Sequence, residues 1–319
     1  MMEKIELRKA RDFGTLFNDS VAFLRVNFKS FFGILLFLSG PFVLLTGLLM
    51  GYLQFISEKI TESNMLSGNY KNANMFLGSS VTTTVLFVLI FLLTTLVTNA
   101  SIALYFILYD KAKPEELPLQ RSSVSQLLAA ACWRLFYNLL LFTIIIAVIS
   151  LAFMGLFFLL FLVPGLNIIL MFTLVIGSLI IFPPMVYVIT VANFIVIRDE
   201  ILITEAIGKA LKYMHGNFWK TWLFIFCALV SLSMLYLLFN MPYIIQGFIS
   251  GFTRRAPGTN SFTANHSLTF IIISALSMLG RMIIISPILT CFCVFNFYSQ
   301  EESHEGTSLM NRIDTFDIK

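Results

Sequence analysis

Long apolar runs separated by short charged segments organise this chain. No Asp, Glu, Lys or Arg occurs in residues 30–57, 72–109, 135–197 or 221–253. Two more uncharged runs, 256–280 and 282–300, are parted by Arg281. Apolar residues are continuous in these runs, not alternating as the strands of a membrane barrel require. A helix crosses the hydrocarbon with about 20 apolar residues. The run 135–197 is therefore two spans, with Pro164-Gly165-Leu166-Asn167 as a tight turn between them. The pattern predicts six transmembrane helices over residues 31–56, 82–108, 136–163, 168–197, 218–239 and 268–298. The fold class is all-α and polytopic.

The segments before the odd-numbered spans share a pattern of their own. Each reads as a short amphipathic helix that leads into an aromatic–basic elbow. In the first, Phe13, Leu16, Phe17, Val21, Leu24, Phe28 and Phe31 recur at helical spacing. In the second, Ser123 and Gln126 have capping-box spacing ahead of Val124, Leu127, Leu128 and Ala131. In the third, Ile203, Ala206, Ile207, Ala210, Leu211 and Met214 form the stripe, and Gly216 is placed to stop it. The elbows are Phe28-Lys29-Ser30-Phe31, Trp133-Arg134-Leu135-Phe136 and Trp219-Lys220-Thr221-Trp222. Aromatic rings favour headgroup depth, where a Lys or Arg reaches lipid phosphate. Among the even spans, Pro184 stands nine positions before Asn193 and Pro287 nine before Asn296. These agreements predict three repeats of interfacial helix plus hairpin, over about 10–110, 121–200 and 201–300, and a cytoplasmic tail over 301–319.

Composition agrees with lipid as the main solvent. Of 319 residues, 58% are apolar and 12% charged, against about 25% charged in soluble domains. Lys and Arg are divided unevenly. Sixteen fall in the N-terminal segment, the second and fourth loops and the tail, and four in the first and fifth loops. The positive-inside rule then places both termini in the cytoplasm. The first thirty residues, basic and amphipathic, are not expected to be a cleavable signal peptide. On this topology Cys132, Cys227, Cys291 and Cys293 face no oxidising compartment, so no disulfide framework is expected. The net charge of +4 belongs to the cytoplasmic rim and implies no nucleic-acid partner.

Polar groups inside the runs are where membrane chemistry would show. Asn99, Asn193, Arg281 and Asn296 make the candidate intramembrane polar site. Packing competes with ligand binding at each, and Arg281 is placed to reach outer headgroups. Glu58 to Gly78 reads as a polar, flexible outer loop, and Thr253 to His266 as a second. His215, His266 and His304 lie on separate segments without metal-ligand spacing. The spans carry no carboxylate for an intramembrane acid dyad, and no Gly-rich phosphate loop or GxSxG is present. No catalytic residue, metal or cofactor is expected.

Arg11-Asp12-Phe13-Gly14, Gly40-Pro41, the helix Glu205 to His215 with Gly216-Asn217-Phe218-Trp219, and Phe297-Tyr298 through Glu301-Glu302, Gly306, Leu309 and Arg312-Ile313-Asp314 carry a resemblance. The chain resembles a broad family of bacterial six-helix membrane proteins, in its Bacteroidota form. That family is related to the membrane domain attached to some glycerophosphodiester phosphodiesterases. The resemblance covers nearly the whole chain and transfers no catalytic residue. It implies the inner membrane of a Gram-negative cell. The expected function is non-enzymatic organisation of membrane lipids, or of membrane or cytoplasmic partner proteins, through Phe28, Lys29, Trp133, Arg134, Trp219 and Lys220. Transport of a small solute or lipid is the alternative, and would use the intramembrane polar residues as a path.

Overall fold

The computed structural model describes residues 4–67, 71–138, 140, 166–253 and 263–306. In chain order its helices are α1 (Phe13–Leu38), α2 (Gly40–Ser67), α3 (Lys71–Lys111), α4 (121–138), α5 (Leu166–Asp199), α6 (Ile203–His215), α7 (Phe218–Thr253), α8 (Thr263–Leu279) and α9 (Ser286–Glu305), with a π-helical turn over Gly280–Ile285. No strand occurs among the described residues. Five stretches are long and apolar enough to cross a membrane: Phe13–Leu38, Val81–Lys111, Leu179–Asp199, Phe218–Pro242 and Ile271–Glu305, beside the shorter Gly40–Ile56. The chain is an all-α polytopic membrane protein. Most of the expected third span, and Pro164-Gly165 of the turn after it, lie outside the described residues, as does the tail beyond Gly306.

Several local expectations are corrected. The first two elbows do not break their helices: α1 runs unbroken past Phe28 and Phe31 to Leu38, and α4 runs past Trp133 and Phe136. Neither elbow contains a Gly or Pro, so nothing ends the backbone ladder there. The first break is at Ser39, before Gly40-Pro41, where proline suits the first turn of a new helix. Only the third elbow, among the described residues, follows a separate helix. Gly216 does stop α6, but in right-handed backbone at φ −67°, and Asn217 N–H then bonds to Met214 O at 3.0 Å. Ser123 does not cap α4, which already begins at 121. The described residues of the expected loop 58–78 are helical, with α2 running to Ser67 and α3 starting at Lys71. That stretch has no proline, and its first glycine is Gly68. At 1.5 Å per residue the 41-residue α3 is about 60 Å long, roughly twice the ~30 Å hydrocarbon.

The contacts divide the chain into two compact units, with the divisions inside α1, α3, α7 and α9. The first unit comprises 1–31, 102–230 and 288–319. Its centre is aromatic. Phe23 stacks on Phe106 at 5.1 Å and meets Tyr109 at 4.9 Å and Phe295 at 5.4 Å edge-on. The buried face of α1 here is Leu16, Ser20, Phe23, Asn27 and Phe31, while Val21 and Phe28 are exposed. The apolar stripe read from the sequence is thus rotated from the true buried face. Ser20 and Asn27 can be buried because each donates to the carbonyl four residues back, Leu16 O at 2.7 Å and Phe23 O at 3.1 Å. Lipid then accepts the apolar residues of the other face. Helix α6 packs on α5 and buries Ile203, Ala206, Ala210, Tyr213 and Met214, with Tyr213 edge-on to Phe297 of α9.

The second unit comprises 32–101 and 231–287. Its helices meet backbone to backbone. A Cβ on Gly47 would stand 2.5 Å from the Ala275 Cα, and one on Gly51 2.6 Å from the Ile271 Cα. Gly47-Leu48-Leu49-Met50-Gly51 is thus a small-residue strip that lets α2 approach α8 closely. Thr46 and Thr94 share a hydroxyl–hydroxyl bond of 2.7 Å, and Ser277 donates to Asn240 Oδ1 at 3.2 Å. The π-helical turn has a local cause. Pro287 has no N–H to offer the preceding turn, and Ser286 N–H reaches back five residues to Arg281 O.

Candidate functional site

The last helix begins as an apolar rod and ends as a polar one. Asn296, Ser299, Gln300 and Ser303 recur at three- and four-residue spacing and so share one face of α9. Burial makes that face a network. Tyr187 O–H of α5 donates to Gln300 Oε1 at 2.9 Å, which fixes the carboxamide. Gln300 Nε2 donates in turn to Thr221 Oγ1 of α7 and, at 3.4 Å, to Asn296 Oδ1. Asn296 is 5% exposed, and its Nδ2 has no acceptor among the described residues.

Beside this network lies an ion cluster. Arg198, at the end of α5, donates to both oxygens of Glu301 at 2.8 and 2.6 Å, and through Nε to Asp199 at 2.7 Å. Its side chain is 10% exposed and that of Glu301 7%. The guanidinium also lies 4.8 Å from the ring centre of Phe297. Lys209 of α6 completes the cluster, 2.7 Å from Asp199. Nearby, Tyr213 donates to Glu305, and burial together with that carboxylate pushes the phenol pKa up, so Tyr213 stays a neutral donor. Arg134 pairs with Glu200 at 2.8 Å, where Glu200 ends α5 in left-handed backbone at φ 60°.

Arg11 anchors the segment before α1. Its side chain is 1% exposed and donates to Asp19 at 2.7 Å and to Leu7 O at 2.8 Å. The guanidinium lies 5.2 Å from the Phe295 ring centre, and Arg11 N–H donates to Ser299 Oγ at 2.9 Å. So braced, the segment closes one side of a cavity of about 490 Å³ within the first unit. Asn217 and Lys220 line it from the start of α7, and Asn296, Ser299 and Gln300 from α9. Phe13, Leu16 and Phe224 give it an apolar wall. The size is ordinary for a small-ligand site.

The expected site residues are placed as follows. Trp133, Trp219 and Phe28 are 73%, 68% and 57% exposed, far more than aromatic side chains used for packing. Trp133 stacks on Phe136 at 6.2 Å, and Trp219 meets Trp222 edge-on at 6.1 Å. Lys29 is exposed, Arg134 is half-exposed in its ion pair, and Lys220 lines the cavity. Asn296 lines the same cavity, and Asn193, half-buried, does not. Asn99 and Arg281 belong to the other compact unit. There Arg281 lies in the π-helical turn, 5.9 Å from the Tyr236 ring centre, with its Nε buried and without a hydrogen-bond partner among the described residues. The structure thus brings Lys220 and Asn296 together. The residues that sequence reasoning missed are Lys9, Asn217, Ser299, Gln300 and Ser303. The polar stripe at helical spacing on α9 was the signal that could have found them.

Among the described residues no group of three or more His, Cys, Asp or Glu could hold a metal ion. No protein-family model, curated protein or solved structure matches the chain.

Proposed function

We propose that this membrane protein is non-enzymatic and engages lipids at the cytoplasmic leaflet of a bacterial inner membrane, with both termini on the cytoplasmic side. The observation that carries the reading is the exposure of the elbow aromatics Phe28, Trp133 and Trp219, each next to a Lys or Arg. An indole or phenyl ring outside the protein interior, next to a cation, matches headgroup depth, where the ring meets the glycerol region and the cation meets phosphate. The carboxylates at the same ends of the helices, Asp199, Glu200 and Glu301, are held by arginine and lysine, as suits a structural role. The resemblance to six-helix membrane proteins of Bacteroidota accords with this reading, as does a role in organising partner proteins at the same leaflet.

Spin-labelled phosphatidylglycerol in proteoliposomes tests it. Replacing Phe28, Trp133 and Trp219 together by Ala should reduce the motionally restricted lipid fraction by about a third or more while the protein stays folded. An unchanged fraction would remove the reading.

A second reading, transport of a small solute or lipid, is favoured by one observation. The π-helical turn at Gly280–Ile285 interrupts the helical ladder at Arg281, and such turns gather at functional positions. Substrate uptake that is lost in Arg281→Met would turn the interpretation to transport.

A further inference from the structure

We infer that the cavity between the N-terminal segment, the start of α7 and the end of α9 is a binding site for a phosphate ester group. The inference deepens the lipid-engaging reading and rests on it for one of two sources of that group, a phospholipid headgroup. The other source is a soluble phosphate ester.

Three features of the cavity converge on an anionic oxygen ligand. The first is an unspent donor. Asn296 is 5% exposed and lines the cavity, yet its Nδ2 bonds to nothing among the described residues. Its oxygen is already taken by Gln300, whose own orientation is set by Tyr187 and Thr221, so the amide nitrogen cannot be exchanged with it at no cost. A buried donor left unmade costs about 1–3 kcal/mol, and a ligand acceptor would recover it. The second feature is charge. Arg11 and Asp19 satisfy each other, which leaves Lys9 and Lys220 as lining cations with no ion-pair partner among the described residues. Each can meet a phosphate oxygen as a point charge. The third is backbone. Asp12, Phe13 and Thr15 at the start of α1, and Asn217 just ahead of α7, place two helix N-termini on the cavity wall. The first-turn N–H groups of a helix favour anions. The exposed Asp12 carboxylate is the one lining acid that Arg11 does not neutralise, and it suits a ligand that carries a hydroxyl or amine beside its phosphate. The wall of Phe13, Leu16 and Phe224 gives that ligand an apolar flank.

Isothermal titration of the full chain in neutral detergent micelles tests this, with two probes. Short-chain dihexanoyl phosphatidylglycerol represents the headgroup, and glycerol 3-phosphate the soluble ester. The wild-type protein should bind at least one. Lys9→Gln/Lys220→Gln, which changes two exposed side chains and leaves the interior alone, should weaken that binding tenfold or more. Asn296→Leu should do the same, and Lys212→Gln, outside the cavity, should stay within twofold. Binding of the lipid probe alone identifies a headgroup, and binding of glycerol 3-phosphate identifies a soluble ester; both support the site. No binding of either probe, or equal binding by the double lysine variant, would overturn it. Lys220 is shared with the third elbow, so Asn296→Leu, which lies in no elbow, is the variant specific to the cavity, and the elbow test replaces Phe28, Trp133 and Trp219 and uses a different readout. A failed cavity is therefore distinguishable from a failed elbow reading.

Discussion

The two compact units of this protein hold their helices together by different means. In the first, large rings and polar groups fill the interior: Phe23 amid Phe106, Tyr109 and Phe295, and Arg198 between Asp199 and Glu301. In the second, glycine removes side chains from the contact, so that α2 meets α8 at the backbone beside the Thr46–Thr94 hydroxyl pair. Water explains the difference. Apolar burial drives association only where water is displaced. Helices that compete with lipid tails gain little from it and rely on close packing and hydrogen bonds. The first unit, with its dense charge, is built like the interior of a soluble protein. The second is built like a membrane interface.

Substitutions can break that comparison, and the largest effect belongs to the ion cluster. Arg198→Met should destabilise the protein by about 3–5 kcal/mol, because it removes the guanidinium that donates to both oxygens of the buried Glu301 and leaves only Lys209, at 4.0 Å, as its cation. Adding Glu301→Met should restore most of the loss. Thermal unfolding of the purified single and double variants checks both. If the double variant were as unstable as the single, the charge pair would be contributing more than mutual neutralisation. Next comes Gly51→Leu, which places a side chain where the Ile271 backbone stands. Overpacking of this kind costs about 1–3 kcal/mol or more. Gly33→Ala is the matched control, since nothing lies within 4 Å of its added carbon; removing a helical glycine there should gain roughly 0.5–1 kcal/mol. The smallest effect is Thr94→Val. It deletes the bond to Thr46 at nearly constant shape, and hydrogen bonds between membrane helices average about 0.6 kcal/mol. A loss as large as that of Arg198→Met would erase the proposed contrast between the units.

The sequence read unequally well. Charge-free runs of more than 20 residues allow one solution in lipid, so the all-α membrane class was legible from composition alone, whereas the expected span 31–56 is divided at Ser39 between α1 and α2. The faces of the helices were not legible. On α1 the expected stripe mixes the buried Leu16 and Phe31 with the exposed Val21 and Phe28 and omits the buried Phe23, because lipid accepts what water would have rejected. The buried polar residues Ser20 and Asn27 were absent from the expected stripe because their bonds to carbonyls one turn back leave no mark in the pattern. Loop 58–78 misled for the opposite reason: polar residues suggested a coil where no breaker interrupts the helices until Gly68. At the candidate site, Lys220 and Asn296 were visible as an elbow cation and an intramembrane amide. Lys9, Asn217, Ser299, Gln300 and Ser303 were not. The cavity is assembled from segments nearly 290 residues apart, such as Arg11 and Ser299, and no local pattern encodes that closure.

Tryptophan quenching by brominated phospholipids tests the central claim most directly, that the elbows lie at headgroup depth. The chain has three tryptophans, so Trp219→Phe/Trp222→Phe leaves Trp133 as the sole reporter, and Trp133→Phe/Trp222→Phe leaves Trp219. In vesicles, both should be quenched most by bromines near the carbonyl end of the acyl chains and progressively less by bromines nearer the terminal methyl. Quenching that is absent from every lipid, or strongest at the chain ends, would contradict the account.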